Sequence, residues 1–350
     1  MAEDKQQEKK INNQEVGPVK LSRSDYWRFL GAKLRDLVFT LWLMSLIVFL
    51  IFYIIPGDTV TMLLGTEATP EKRAALEAEL NLDQPPLERY RHSLRGLWDS
   101  DDPSISLRFR QPVRDLIAPR LGLSLGLALY GFILIVLLSL PLSIISAWWE
   151  NSWIDKLTSS LAQIFMAIPG FFLGILLILL FAFAFSSFQA GNYQPATADF
   201  WGHLQGLFLP ALALALPKLA QAQQFFRAEL VKAKSAPYVR TARSKGADSW
   251  RVLFCHMFRN SLRPFVTSLG LILAELITGS LVVEQVFVLP GMGRLLFTAI
   301  ETRDLPLAQG LILTIAALVI LLNALVDLLN ALIDPRIIAE QRARSKKEAV

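Results

Sequence analysis

The sequence predicts an all-α membrane protein with about six spanning helices. Of its 350 residues, 53% are hydrophobic and 19% are charged, whereas a soluble domain has about 25% charged residues. The apolar residues lie in long runs rather than at amphipathic spacing, and the charged residues lie in blocks between the runs. Lipid is therefore the expected solvent, because about 20 apolar helical residues cross a bilayer. Only helices satisfy the backbone of such runs in lipid, since barrels need short alternating strands.

The apolar runs give the positions of the spans. We predict spans at 37–55, within 121–149, and at 161–185, 204–226, 264–283 and 307–328. The first run is uncharged and ends at Pro56-Gly57-Asp58, which is typical of a turn. A polar segment at 56–120 follows, in which Thr69, Pro70 and Glu71 predict the start of a short helix that ends near residue 80.

The distribution of Lys and Arg predicts the orientation of the chain. These residues are concentrated at 227–263 and in the tail at 336–350, and short segments rich in them remain in the cytoplasm. Six spans then place the tail at 1–36 in the cytoplasm as well, and 56–120 outside it. The tail at 1–36 is polar without apolar periodicity, so we expect it to be partly disordered. Residues 121–335 form the predicted membrane core.

The basic segment at 227–263 has a pattern beyond its charge. A stretch with small residues from Pro237 to Lys245 precedes Gly246, and a second stretch runs into the fifth span at Pro264. Glycine is common just beyond a helix end because it accepts positive φ. We therefore predict a helix, a break at Gly246 and a second helix. The residues alone leave two interpretations equally open, a docking element for a soluble partner and a solvated basic loop.

The hairpin resembles the coupling loop of binding-protein-dependent ABC importer permeases, in the dipeptide, oligopeptide and nickel subgroup. The loop of that subgroup is similar to Tyr-Val-Arg-Thr-Ala-Arg-x-Lys-Gly and then His-x-x-x-Asn-x-x-x-Pro, which match 238–246, His256, Asn260 and Pro264. The resemblance implies that this loop seats in a groove on an ATPase subunit. The coupling residues that it implies are Tyr238, Arg240, Thr241, Ala242, Arg243, Lys245, Gly246, Ala247, His256 and Asn260.

Shorter matches to the same subgroup follow the spans in order. They are Pro56-Gly57-Asp58, Leu80–Pro85 with Asn81 in place of a glycine, Glu284-x-x-Phe287-x-x-Pro290-Gly291-Met292-Gly293-Arg294, Asp304-x-Pro306, Asp327 and Asp334-Pro335-Arg336. The long N-terminal tail departs from the subgroup, and so does Gln224, where arginine is usual. The residues expected to face an extracytoplasmic solute-binding protein are Asp58, Pro290, Gly291, Gly293 and Arg294.

The resemblance also implies a fold, a function and partners. It implies the type I ABC importer permease fold in the bacterial inner membrane, with both termini in the cytoplasm. The chain would form a translocation path for peptides, or a related small solute such as nickel, together with a second homologous permease. Two ATPase subunits would bind ATP and Mg and drive alternating access, so this chain would carry no cofactor, metal or catalytic residue. Its other contacts would be with membrane lipid, and none with nucleic acid.

Two features of the residues point to other classes of protein. The sequence 122–126 fits the G-x-S-x-G pattern of serine hydrolases around Ser124, but it opens a membrane helix rather than a strand–turn–helix elbow. Packing of small residues between helices is the better interpretation. A secondary transporter would typically show internal repeats and paired charges at mid-membrane depth. No clear repeat is present, and only Glu275 and Lys218 lie deep within predicted spans.

Glu275 has two open interpretations. An acidic residue near the middle of a span is costly and normally faces a cavity or a partner. It either makes a structural hydrogen bond to another helix, or lines the translocation path and favours a cationic group such as a peptide amine or a metal ion. Lys218 in the fourth predicted span is either its partner or extends to the membrane surface.

Overall fold

The part of the chain that the structure describes is mostly helical. This structure is a computed structural model, and it describes residues 23–54, 69–71, 84–97, 99, 101–184, 193–195, 197 and 199–333. Its principal helices in chain order are α1 Arg23–Ile54, α2 Pro86–Arg95, α3 Val113–Trp148, α4 Trp153–Ala167, α5 Gly170–Ala184, α6 Phe200–Lys234, α7 Pro237–Ser244, α8 Ser249–Arg251, α9 Arg259–Val286, α10 Met292–Glu301 and α11 Leu305–Ile333. A π-helix, Val252–Phe258, joins α8 to α9.

Five helical segments within these residues are long and apolar enough to cross a membrane. They comprise α1, α3, α6, α11 and the continuous segment Ser249–Val286. Helices α4 and α5 form a sixth candidate together, although they are bent by 106° at their junction. The predicted all-α fold with about six spans is therefore confirmed.

The third predicted span, at 161–185, is not one straight helix. Helix α4 ends at Ala167, and Ile168 has extended dihedral angles, φ −98° and ψ 125°. Pro169 explains the break, because its ring removes a backbone donor and biases the preceding residue away from the helical region. The apolar run continues across the break, so hydropathy alone does not reveal it.

The first helix begins earlier than predicted. Residues 23–36, which the sequence assigns to a partly disordered tail, are the opening turns of α1. Tertiary contacts account for the difference, because Phe29 packs in a cluster with Ala331 and Lys33 Nζ forms an ion pair with Asp327 at 2.5 Å. Of the short helix predicted near residues 70–80, Pro70 and Glu71 are helical, and residues 72–80 lie outside the described part.

Helix α6 lies at the centre of the bundle. It packs against α3, α4, α5 and α9. Its alanines are buried at most of these contacts, for example Ala211, Ala213 and Ala222, and small residues allow membrane helices to approach closely. Pro210 and Pro217 lie inside α6 without ending it, since neighbouring helices can hold a proline-containing helix in place within a bundle.

The two ends of the bundle are distinguishable. Helices α3 and α6 end, and α9 begins, at the same end of the bundle, which we call the hairpin end. We call the other end the opposite end. Exposed aromatic residues occur at both: Trp27, Trp149 and Trp153 at the hairpin end, and Tyr53, Phe200 and Trp201 at the opposite end. Tryptophan and tyrosine favour the headgroup layers of a membrane, so the two sets of side chains mark the two surfaces.

Candidate functional site

The segment that links α6 to α9 folds as a hairpin of two helical arms. Its first arm is α7, which begins with Pro237 at the first helical position. Gly246 follows with φ +78°, and the amide of Ala247 donates to the Ala242 carbonyl at 3.1 Å, which closes the helix end. The helix, glycine break and second helix are therefore present as the sequence predicts.

One face of the hairpin packs against the bundle and the other is exposed. Val239 and Ala242 are buried in a cluster that includes Val252, Leu253 and Met257 from the second arm. Of the predicted coupling residues in the first arm and the turn, those that are exposed are Tyr238, Arg240, Thr241, Arg243, Lys245 and Gly246, and Ala247 is half-buried. The hairpin thus presents a basic outer face on an apolar base.

The second arm is wound more widely than the sequence predicts. Residues Val252–Phe258 form the π-helix, and His256 lies within it. The side-chain amide of Asn260 donates to the His256 carbonyl at 2.8 Å, where the backbone ladder changes from π to α. Short π-helical turns inside α-helices occur frequently at functional sites. The matched pair His256 and Asn260 therefore lies at an irregular joint that leads into the fifth span.

A buried ion pair links α4 to α6 at the hairpin end. Asp155 at the start of α4 is 3% exposed, and its carboxylate accepts from Arg227 Nε at 2.5 Å and Arg227 Nη2 at 2.6 Å. This pair is not predictable from the sequence, because Arg227 is one of many basic residues in the segment 227–263. The Ser152-x-x-Asp155 spacing is typical of a helix start, and the Ser152 hydroxyl does accept from the Asp155 amide.

At the opposite end, the turn before α10 is built around Glu284. This residue is 0% exposed, and its Oε2 accepts from the Gly293 amide at 2.7 Å. A Cβ atom on Gly291 would lie 2.3 Å from that Oε2, and one on Gly293 would lie 2.3 Å from the Leu281 carbonyl oxygen. Gly293 therefore requires glycine, because the main chain of Leu281 cannot move aside, whereas a side chain at position 291 would displace the Glu284 carboxylate.

The residues expected to contact a solute-binding protein differ in their exposure. Pro290 and Arg294 are exposed at the opposite end, whereas Gly291 and Gly293 are buried. Asp58 lies outside the described residues. Pro290 and Arg294 thus keep an accessible surface for a partner, and the two glycines serve the geometry of the turn.

Two buried polar residues fix the same end of the bundle. The Ser124 hydroxyl accepts from the Met292 amide at 3.0 Å, at the start of α10. The close packing predicted for the small residues of this segment is not present within the described chain, because a Cβ atom on Gly122 or Gly126 would meet nothing within 4 Å. Asp304 accepts from Ser106 Oγ at 2.5 Å and from the Arg108 and Leu307 amides. Asp304 of the Asp304-x-Pro306 match therefore caps α11 and holds the segment that precedes α3.

Glu275 and Lys218 form an ion pair between α9 and α6. Lys218 is thus the partner of Glu275 rather than a side chain that extends to the membrane surface. The Lys218 and Glu275 side chains nevertheless remain 30% and 48% exposed, and Gln221 Oε1 lies 3.4 Å from Lys218 Nζ. The pair therefore lies on an accessible polar face near the middle of two spans. Among the described residues, no three His, Cys, Asp or Glu side chains cluster as metal ligands.

Two protein families match this chain, one in its N-terminal part and one in its C-terminal part. Residues 139–339 match the family described as binding-protein-dependent transport system inner membrane component. Residues 26–128 match the N-terminal membrane component of such transport systems. The first match contains the hairpin, the ion pair at Glu275 and the Glu284 turn.

Individual relatives agree with the family matches. A protein named as a peptide transport system permease of Brucella abortus is 37% identical over 295 residues, which cover 84% of this chain and 94% of the relative. The glutathione transport system permease protein of Escherichia coli is 37% identical over 281 residues, or 80% of this chain and 89% of the relative. The predicted resemblance to binding-protein-dependent ABC importer permeases is thereby confirmed over most of the chain. The chain belongs to the family of binding-protein-dependent transport system inner membrane components, the multi-pass permeases of bacterial ABC importers, in their peptide-type subgroup.

Proposed function

We propose that this permease forms one side of a translocation path for peptides, or a related small solute such as nickel, with a second homologous permease as the other side. Relatives named for peptide and glutathione transport support the choice of substrate. Two ATPase subunits supply the energy by binding and hydrolysing ATP with Mg, and an extracytoplasmic solute-binding protein delivers the substrate. This chain is then a noncatalytic subunit of the assembly.

The hairpin is the observation that carries this proposal. Its apolar base is buried in the bundle, while Arg240, Arg243 and Lys245 are exposed around the turn at Gly246. Such a surface suits a soluble partner with a complementary groove, because opposite charges steer and orient an encounter. We assign this groove to an ATPase subunit, which places the hairpin end in the cytoplasm. Pro290 and Arg294 then face the solute-binding protein.

The Lys218–Glu275 pair marks the face that lines the path. Half-exposed charges at mid-membrane depth are costly against lipid and normally face a partner or an aqueous cavity. The pair lies on α6 and α9 with Gln221 beside it, so this polar face is turned toward the second permease. The exposed carboxylate of Glu275 is placed to attract the amino group of a peptide.

Arg243→Glu tests the hairpin assignment. The assembly is reconstituted with its second permease, ATPases and binding protein, and peptide uptake and ATP hydrolysis are measured together. Reversing a charge on the docking face should reduce peptides transported per ATP about tenfold, while the chain still inserts. Arg35→Glu is the control, because Arg35 is an exposed basic residue of α1 outside the hairpin. Unchanged transport per ATP in Arg243→Glu would refute the assignment.

A further inference from the structure

The buried carboxylate of Asp155 collects donors from three separate elements. It accepts from Ser146 Oγ of α3 at 2.5 Å, from the Asn151 amide of the α3–α4 turn at 2.9 Å, and twice from the Arg227 guanidinium of α6. Asn151 has φ +64°, and this left-handed conformation directs the Asn151 amide to the carboxylate. Arg and carboxylate in this fork arrangement form the most directional of side-chain ion pairs.

Stability alone does not account for this pair. Removing two charges from water is costly, and an apolar pair of similar volume commonly stabilises a fold as well or better. What a fully bonded ion pair adds is a fixed geometry, because each donor must keep its position for the carboxylate to remain satisfied. The elements that meet at Asp155 are therefore held in one relative arrangement.

Further contacts connect the hairpin to the end of α3 and the α3–α4 turn. Lys234 Nζ, at the last residue of α6, contacts Glu150 Oε2 at 2.9 Å and the Ala147 carbonyl at 3.0 Å. Only Ser235 and Ala236 separate Lys234 from α7. On the second arm of the hairpin, Trp250 stacks on Trp148 of α3 with ring centroids 4.7 Å apart. The second arm of the hairpin thus contacts the end of α3 directly, and the first arm is connected to it through the last residue of α6.

The connection continues from Asp155 into the broken span. Asp155 lies in the first turn of α4, and α4 leads to α5 through the 106° bend. At that bend, a Cβ atom on Gly170 would lie 3.2 Å from the Ala213 carbonyl of α6, so α5 begins in close contact with the central helix. A displacement of the hairpin would therefore move α3, α4 and α6 together.

We propose that Asp155 and Arg227 are positioning residues that make the hairpin, the α3–α4 turn and the end of α6 a single rigid body, which transmits hairpin movement to the broken α4–α5 span. This inference rests on the proposed role of the hairpin in coupling. It adds a second element to the coupling apparatus, because the α3–α4 turn takes part without contacting the ATPase groove itself.

The first test is transport per ATP in the complete assembly with Asp155→Asn. This change keeps the shape of the side chain and removes the charge that holds Arg227. Peptides transported per ATP should fall about fivefold, as expected for the loss of a coupling free energy of this kind. A residue that only stabilises the fold would lower the amount of assembly and leave this ratio unchanged. Arg227→Lys keeps the charge but loses the pair of hydrogen bonds that the guanidinium makes, so it should lower the ratio by a smaller factor. This variant replaces Asp155→Asn in the test if Asp155→Asn does not fold.

The second test measures the rigid body directly. Cys255 is exposed on the second arm of the hairpin, and Trp153 is exposed at the start of α4. Spin labels at Cys255 and at Trp153→Cys report their separation, with accessible cysteines of the partner chains removed. The distance distribution should stay narrow with and without ATP in the parent chain, and should broaden in Asp155→Asn. A parent distance that changes with ATP would overturn the proposal, as would a distribution and ratio unaffected by Asp155→Asn.

A second ion pair in the chain provides the matched control. Lys33 and Asp327 join α1 to α11 at 2.5 Å, and neither helix belongs to the proposed rigid body. Lys33→Gln should therefore leave transport per ATP and the Cys255 distance unchanged, and an effect as large as that of Asp155→Asn would contradict the proposal. The outcome is separable from that of the hairpin assignment. If Arg243→Glu uncouples transport and Asp155→Asn does not, only the rigid-body proposal fails.

Discussion

At the scale of single residues, charge at mid-membrane depth is the most informative signal in this chain. Glu275 is recognisable from sequence because an acid inside an apolar run needs a reason. Its pairing with Lys218 is not recognisable, since the two residues lie on different helices and only packing brings them together. The half-exposure of the pair then distinguishes a surface turned to water or a partner from a sealed structural bridge.

Glu275→Gln should alter the selection of substrate. Without its charge, the side chain attracts the amino group of a peptide less strongly, so the KM for uptake of a peptide with a free N-terminus should rise about fivefold. The same peptide with an acetylated N-terminus should show little change. Steady-state uptake into proteoliposomes that contain the whole assembly measures both values.

The control for this substitution is Thr278→Ala, which removes an exposed polar side chain one turn along the same helix. It should leave both KM values unaltered. Equal changes for free and acetylated peptides in Glu275→Gln would assign the residue a structural role, and unchanged uptake of every peptide would remove it from the path.

At the scale of elements, the apolar runs predict which segments cross the membrane, and tertiary contacts decide where the helices end. Helix α1 begins at Arg23 rather than near residue 37, because Phe29 and Lys33 have partners on α11. Those partners are distant in sequence and leave no local signal. The break at Pro169 has a local signal, but uninterrupted hydropathy conceals it. The hairpin is predictable because its glycine break and its match to the subgroup are both local.

The motif in the Glu284 turn is recognisable from the sequence, but the structural role of its two glycines is not. The Pro290–Arg294 match predicts an external loop, yet Gly291 and Gly293 are buried against Glu284 and Leu281. Burial depends on how α10 folds back onto α9, which sequence spacing does not report. The turn is therefore best regarded as a folded element with two exposed residues, Pro290 and Arg294, rather than as a flexible loop.

Gly293→Ala tests the packing of this turn. The added methyl group would meet the main chain of Leu281, which cannot move aside as a side chain could, so the turn must shift and the Gly293–Glu284 hydrogen bond should be lost. A loss of about 2 kcal/mol of stability is expected for overpacking of this kind. The midpoint of thermal unfolding in detergent should fall, and trypsin should cleave at Arg294 more rapidly.

Gly122→Ala supplies the comparison for that experiment. A Cβ atom on Gly122 in α3 would meet nothing within 4 Å, so this variant should unfold at the parent temperature or slightly above it, because alanine favours a helix. If the two alanine variants unfolded at the same temperature, the close approach at Gly293 would have no energetic importance.

At the scale of the whole molecule, we propose one partner-facing surface at each end of the bundle and one between them. The basic face of the hairpin occupies one end, Pro290 and Arg294 occupy the other, and the Lys218–Glu275 face lies midway on α6 and α9. Helix α6 connects all three levels, since it is central to the bundle and continues almost directly into α7. This arrangement suits a subunit that links an energy source on one side of a membrane to a substrate on the other.

The most direct test of this account is photo-cross-linking from the hairpin in the assembled transporter. A photo-activatable residue in place of Lys245, beside the turn at Gly246, should form adducts with an ATPase subunit, because the exposed hairpin face is docked in its groove. The same residue in place of Arg294 should form adducts with the solute-binding protein. Adducts from the Lys245 position with the solute-binding protein or with lipid alone, and none with an ATPase subunit, would contradict the account.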